Sequence, residues 1–179
     1  MNISAEGLCD AAQYIATPNC DARPPDTAIE LLVIHNISLP PGDFGGTAVI
    51  DLFLNRLDPG AHPYFAGIAT LRVSAHFFVR RDGKLLQFVP CAMRAWHAGQ
   101  SLWRGRARCN DFSIGIELEG ADDLAFSDAQ YTCLGALAGA LYARYPIAAS
   151  VGHSDIAPGR KTDPGPHFAW ARYFQHVNK

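Results

Sequence analysis

At 179 residues the chain is long enough to bury about 70% of the surface its unfolded form exposes, so a single domain spanning residues 1–179 needs no disulfide staple. Its residues are 49% hydrophobic and 18% charged, and no run approaches the ~18 apolar residues of a membrane span, which excludes a membrane-spanning reading. The formal charge of -2 offers no electrostatic reason to bind a polyanion, and nucleic acid is set aside as a partner.

Residues 1–30 read as a loosely patterned lead-in, interrupted by Pro18, Pro24 and Pro25, with at most a short strand near residues 14–16. Residues 1–16 lack a basic stretch followed by an apolar core and carry Glu6 and Asp10, so they do not resemble a signal peptide, and a cytoplasmic location is expected. The five cysteines, Cys9, Cys20, Cys91, Cys109 and Cys133, are odd in number and lack CxxC spacing. They suit a reducing compartment and read as small, partly buried hydrophobes rather than a disulfide framework or a thiolate zinc knuckle.

The run Leu31-Leu32-Val33-Ile34-His35-Asn36 is apolar until its last two residues, as expected of a strand covered on both faces. The two-residue period puts Leu31, Val33 and His35 on one face, with His35 at the carboxyl end, either as a core histidine with one backbone bond or as a functional group. Thr47 is placed to cap a helix over residues 48–57, whose stripe is Val49, Phe53 and Leu57, and Asp58-Pro59-Gly60 ends it. Residues 74–80 and 84–89 flank Arg81-Asp82-Gly83, a strong hairpin signal. His76 shares a face with Phe78 and reads foremost as a packed core residue.

A loop over residues 94–99 contains Trp96, and residues 103–108 carry three arginines at alternate positions. Such a run is ordinarily a solvated face, although a guanidinium fork beside a site suits carboxylates, and an indole suits a sugar face. Residues 112–120 alternate as a strand, with Ile114, Ile116 and Leu118 on one side and Glu117 and Glu119 on the other. A carboxylate on a buried strand needs partners, so Glu117 is a candidate base with a raised pKa or else a strand-end residue reaching water; Glu119, one pleat on, reads as the more solvated of the two. Ser127-Asp128-Ala129-Gln130 is a capping box opening a long core-facing helix to Pro146. A short strand over residues 150–152 leads into a segment broken by Pro158, Gly159, Pro164 and Gly165, read as a non-helical loop, and residues 168–177 close the chain as a helix. The order of elements predicts an α/β domain with a central mixed β-sheet flanked by helices.

That broken segment holds His153, Lys161 and Asp163 within eleven residues. Were His153 and Asp163 to converge with His35, two imidazoles and one carboxylate would supply three ligands for tetrahedral zinc and leave a fourth position open, the pattern of catalytic zinc. Glu117 would then serve as general acid and base, and Lys161 would donate to a developing oxyanion. Spacing alone gives the set moderate weight, since His35 lies 118 positions before His153.

Residues 35–42, 94–99, 109–120 and 152–165, in that order, resemble the AmpD-type cytoplasmic 1,6-anhydro-N-acetylmuramoyl-L-alanine amidases, and the match extends over about residues 30–175. The resemblance implies a zinc amidase related to phage lysozyme-type amidases and peptidoglycan recognition proteins. Its substrate would be an anhydro-muropeptide, cut between the lactyl group of anhydro-N-acetylmuramic acid and L-alanine during cell-wall recycling. It implies one Zn²⁺ on His35, His153 and Asp163, with Glu117 and Lys161 as the catalytic pair. It further implies that Trp96 lies against the sugar, Asn36 borders the metal, and Arg72 and Arg108 meet carboxylates of the stem peptide. Position 163 is aspartate where some relatives carry cysteine, which favours the cytoplasmic branch. Two readings stand beside this one: an amidase acting on polymeric peptidoglycan, and a non-catalytic peptidoglycan-binding module. Nothing in the sequence calls for an oligomer, and a monomer is expected.

Overall fold

The apolar run beginning at Leu31 becomes an inner strand of a six-stranded sheet, and the rest of the fold is arranged on its two faces. The computed structural model describes residues 1–177. In chain order the elements are β1 (Gln13–Tyr14), β2 (Cys20–Ala22), β3 (Leu31–Ile37), α1 (Ala48–Phe53), α2 (Pro63–Ala66), β4 (Phe77–Val79), β5 (Leu85–Gln87), β6 (Met93–Ala95), β7 (Leu102–Trp103) and β8 (Arg106–Ala107). A 3-10 turn at Cys109–Asp111 precedes β9 (Ser113–Glu119), α3 (Asp128–Arg144), β10 (Ala149–Gly152), α4 (His153–Ile156) and α5 (Trp170–Val177). The main sheet runs β1-β5-β4-β9-β3-β10, with β4, β9, β3 and β10 mutually parallel and β5 antiparallel to β4, the mixed sheet that the pattern predicts.

Alternation along the strands divides the core. Leu32 and Ile34 of β3 and Ile114, Ile116 and Leu118 of β9 pack with Leu134, Leu137, Leu141 and Tyr173 from α3 and α5. Each such fully buried side chain contributes about 1.5–3 kcal/mol. The opposite face carries two clusters. One joins Leu31 and Val33 to Phe112, Val151 and Ile156; the other joins Phe78, Leu86 and Phe88 to Val49, Leu52 and Phe53 of α1. On that second face the next residues towards the carboxyl ends of β3 and β9 are His35 and Glu117, and there the apolar surface gives way to a polar cleft.

Local signals hold where they are self-contained. The hairpin β4–β5 turns through Gly83 at φ +85°, and in the capping box Gln130 N–H donates to Ser127 Oγ at 3.1 Å while Ser127 N–H donates to Gln130 Oε1 at 3.0 Å. The five cysteines are free, three of them buried. Helix α1 is shorter than expected, ending at Phe53, because Asn55 adopts a left-handed φ of +58° and pairs with Asn19; the Thr47 hydroxyl donates to Asp51 Oδ2 instead of capping. Leu57 is buried all the same. The segment after β10 is not wholly irregular, since its first four residues make the single turn α4 before Pro158 can interrupt it. Residues 102–107, which take in most of the arginine run read from sequence as a solvated face, form the hairpin β7–β8, turning through the left-handed Arg104 and Gly105. The closing helix begins at Trp170 rather than at 168.

The lead-in is more tightly held than its composition suggests. β1 pairs with β5 and β2 with β6, and the Arg23 guanidinium donates to the carbonyls of Cys91, Asn110, Asp111 and Ser113. Burial lowers the Arg23 pKa to about 10. Glu119 also departs from expectation: it is 4% exposed, because the 43–46 loop and the start of the β4–β5 turn fold over it, with Gly45 N–H and Arg81 N–H donating to its carboxylate at 2.7 and 2.9 Å. It ties the loop after β3 to the sheet.

His76 is the core residue that its position suggested. It is fully buried, and its Nδ1 accepts from Gly115 N–H at 3.0 Å, which leaves Nε2–H to donate to Met93 O at 3.2 Å. Burial, with Arg23 adding to it, holds the ring neutral well below the ordinary histidine value of 6.5. Below that pH the unfolded chain takes up a proton that the folded chain refuses, so this contribution to stability is complete above about pH 6.5 and is lost as the pH falls. His76→Gln is therefore expected to flatten the loss of thermal stability between pH 7 and 5 by about one proton's worth of slope. Melting curves of the metal-free protein at several pH values check this, and an unchanged slope would contradict it.

Candidate active site

Parallel pairing of β3 with β9 puts His35 directly beside Glu117, and Glu117 in turn faces Phe78 across β4, so the two polar groups project together from one face of the sheet. β10 lies on the other side of β3 and ends at Gly152, which delivers His153 at the start of α4 next to His35. The chain then returns through Pro158 and Gly159 to Asp163. A side chain at 152 would meet Pro164 Cδ at 2.8 Å, so glycine there lets the returning loop close against the strand end. Asp155 Oδ2 accepts from Gly152 N–H at 2.7 Å and fixes the same turn. The cleft thus opens at the carboxyl ends of parallel strands, where ligand sites of open α/β sheets lie.

There His35 Nδ1 lies 3.0 Å from His153 Nδ1 and 2.9 Å from Asp163 Oδ2, and His153 Nδ1 lies 3.1 Å from the same oxygen. The ligand atoms of a tetrahedral zinc, held at about 2.0–2.2 Å, stand about 3.3–3.6 Å apart, so this triangle matches to within a few tenths of an ångström. The outer nitrogens are also occupied: His35 Nε2 is 2.9 Å from His97 Nδ1, and His153 Nε2 is 3.1 Å from Ala98 O. With each outer nitrogen carrying its proton towards a protein acceptor, both Nδ1 lone pairs are free to face the carboxylate. Three acceptor atoms converging within hydrogen-bonding distance are relieved by a shared cation, and the donor set therefore fits a divalent metal.

The electrostatics agree. Burial lowers the His35 pKa, against the opposing pull of Asp163, and so favours the neutral ligand form. Burial would raise the Asp163 carboxyl, but the neighbouring His153 and His35 outweigh it and hold the group well below the ordinary carboxylate range. Glu117 behaves oppositely: burial, reinforced by the charge of Asp163 and only partly offset by Lys161, holds its carboxyl well above the ordinary value. Its Oε2 is buried without a hydrogen-bond partner among the described residues. A buried carboxylate oxygen with no protein partner, facing a cleft, is suited to a water or a reacting group.

The cleft has a volume of about 550 Å³. His35, Glu117, His153, Asp163 and the exposed Lys161 line its floor and one rim, and Leu39, Tyr64, Ile68 and Leu71 form an apolar wall. Asn36 and Trp96 line it too. Asn36 Nδ2 donates to Asp122 Oδ1 at 2.7 Å, while Trp96 is held by backbone bonds with Ser74 and by Nε1–H donating to Asp21 Oδ1 at 3.2 Å. The remaining two sequence candidates stand outside this lining. Arg72 is exposed beside the lining residues Leu71 and Val73, and Arg108 is exposed with its Nε 3.2 Å from Asp111 Oδ2. Sequence reading passed over His97, Asp122 and Arg160. The signal for His97 was its place between Trp96 and Ala98 in a segment already singled out, but its partner His35 is 62 positions away.

The N-acetylmuramoyl-L-alanine amidase family pattern matches residues 25–166. The 1,6-anhydro-N-acetylmuramyl-L-alanine amidase AmpD of Citrobacter freundii is 59% identical over 170 residues, covering 94% of this chain and 91% of its own length. The crystal structure of a selenomethionine AmpD derivative superposes with a TM-score of 0.96 at 58% identity, covering 99% of both chains. The Escherichia coli amidase AmiD, solved in complex with the substrate anhydro-N-acetylmuramic acid-L-Ala-D-gamma-Glu-L-Lys, superposes with a TM-score of 0.63 at 33% identity over 97% of this chain and 65% of its own.

Proposed function

The chain belongs to the N-acetylmuramoyl-L-alanine amidase family, and we propose that its cleft takes an anhydro-muropeptide and hydrolyses the amide between the lactyl group of anhydro-N-acetylmuramic acid and L-alanine, with one zinc ion held by His35, His153 and Asp163. The observation that carries this reading is the triangle of His35 Nδ1, His153 Nδ1 and Asp163 Oδ2 beside an unpartnered Glu117 Oε2. Zinc in such a site lowers the pKa of water to about 7 and polarises a carbonyl.

The chain's own groups supply the rest. Glu117 Oε2, ionised, accepts the proton of the attacking water and returns it to the nitrogen of L-alanine, which leaves as a neutral amine; a placed acid-base group contributes about 10²- to 10⁴-fold. The Lys161 ammonium, at the rim, donates to the amide oxygen as negative charge grows on it. Trp96, its indole pinned by Asp21, offers a flat face to the sugar ring, and Asn36, fixed by Asp122, presents its amide beside the metal site. Arg72 and Arg108, both exposed and outside the cleft lining, would meet carboxylates of a stem peptide that extends beyond it. A cytoplasmic, monomeric enzyme of cell-wall recycling is the setting in which this substrate fits; among the described residues no helix is long and apolar enough to cross a membrane.

Incubation of the zinc-loaded protein with anhydro-muropeptide, followed by separation and mass analysis of the products, is expected to release free anhydro-N-acetylmuramic acid and the intact stem peptide. A chelator should stop the reaction and added zinc restore it. Intact substrate in the presence of zinc contradicts the proposal, and equal cleavage of polymeric peptidoglycan lacking the anhydro bridge moves the substrate to the sacculus.

A further inference from the structure

We propose that His97 is a positioning residue of the metal centre, accepting the Nε2–H of His35 and so setting the tautomer and the ring rotation with which His35 presents Nδ1 to the metal. This rests on the metal reading above. The His97 Nδ1 lies 2.9 Å from His35 Nε2, with the rings edge-on at 81°. On its far side His97 Nε2 lies 3.2 Å from Ser113 Oγ, which takes the one ring proton of a neutral imidazole and leaves Nδ1 as the acceptor. His97 is not a fourth ligand in this arrangement, because it meets the nitrogen of His35 that faces away from the triangle.

The fold reserves space for this ring. His97 lies against the sheet over Gly115, and a Cβ at that position would collide with the imidazole, so β9 carries glycine between Ile114 and Ile116. The backbone is secured as well: Asn110 Oδ1 accepts from His97 N–H at 3.2 Å and from Ala98 N–H at 2.8 Å. Ala98 O, one residue along, meets His153 Nε2, and Arg160 donates to the same carbonyl at 2.8 Å. Two consecutive residues therefore serve the outer nitrogens of both histidines. Outer partners of this kind alter metal affinity by about 10–100-fold when removed.

The test uses cobalt(II) titrated into metal-free protein and followed by its visible absorption, with zinc competition for affinity and a melting curve of each metal-free variant. Wild-type protein is expected to bind one cobalt; if it binds none, the metal reading itself fails. His97→Phe keeps a ring without an acceptor and is expected to weaken cobalt binding about 10–100-fold and change the spectrum while the metal-free melting temperature holds. His97→Gln, which restores an acceptor, is expected to recover part of that loss. Wild-type affinity and spectrum in His97→Phe overturn the proposal and leave the metal reading intact. Independently of any variant, long-range ¹H–¹⁵N correlation of the zinc-loaded wild type is expected to find His97 protonated on Nε2 alone; a proton on Nδ1 overturns the proposal.

Discussion

Asp163→Ala is expected to lose both stoichiometric zinc and all measurable amidase activity. The carboxylate is the only anionic member of the triangle, and it lies 2.9 and 3.1 Å from the two Nδ1 atoms whose lone pairs it would share with a cation. Removing it leaves two neutral imidazoles, too few to close a catalytic zinc site. Zinc affinity should fall by more than the about 10–100-fold typical of losing an outer partner. The loss is also readable without substrate. A ligand that binds only the folded state stabilises it by about 2.7 kcal/mol at a hundredfold excess over Kd, so zinc should raise the melting temperature of the wild type and leave that of Asp163→Ala unmoved. Full zinc occupancy in the variant, measured by elemental analysis after dialysis, would overturn the ligand assignment.

Glu117→Gln is expected to show the complementary behaviour: zinc retained at one per chain and kcat lowered by about 10²- to 10⁴-fold. Glu117 stands beside His35 on the adjacent strand but outside the triangle, and the amide is close to the carboxylate in size, so the fold and the metal site should survive. The pH profile carries a sharper signature. As a base Glu117 must be ionised, so kcat/KM rises with pH through its pKa. Burial and the charge of Asp163 raise that pKa, and Lys161 opposes them. Removing the Lys161 charge with Lys161→Gln should therefore move the acid limb of the profile to higher pH. Loss of zinc from Glu117→Gln would make Glu117 a ligand or a structural group rather than a base.

How much of this was readable beforehand depends on whether the signal is local. The hairpin at Asp82-Gly83 and the capping box at Ser127 are decided within a few residues, and both are present in the fold. The alignment of His35 with Glu117 is not local, for it depends on a parallel register between strands 82 positions apart; residue chemistry could only suppose that the site residues converge, and the resemblance gave that supposition its weight. Glu119 shows the limit from the other side. Its alternating position reads as solvated, yet its exposure is decided by the 43–46 loop and the β4–β5 turn, which donate three hydrogen bonds to it from Gly45, Arg80 and Arg81. Arg23 and His97 were passed over for the same reason, since their partners lie well away in sequence: Arg23 donates to the carbonyls of Cys91, Asn110, Asp111 and Ser113, and His97 meets His35 and Ser113. The four-residue helix at His153 shows that a proline leaves room for a helical turn upstream of it: the helix ends at Ile156, and Ala157, the residue before Pro158, has already left the helical region.

The zinc-loaded protein, crystallised and measured on both sides of the zinc absorption edge, tests the central claim most directly. A single anomalous peak within about 2.0–2.2 Å of His35 Nδ1, His153 Nδ1 and Asp163 Oδ2, with Glu117 outside the coordination sphere, is the result expected. A peak elsewhere, or coordination by Glu117 in place of Asp163, would contradict it.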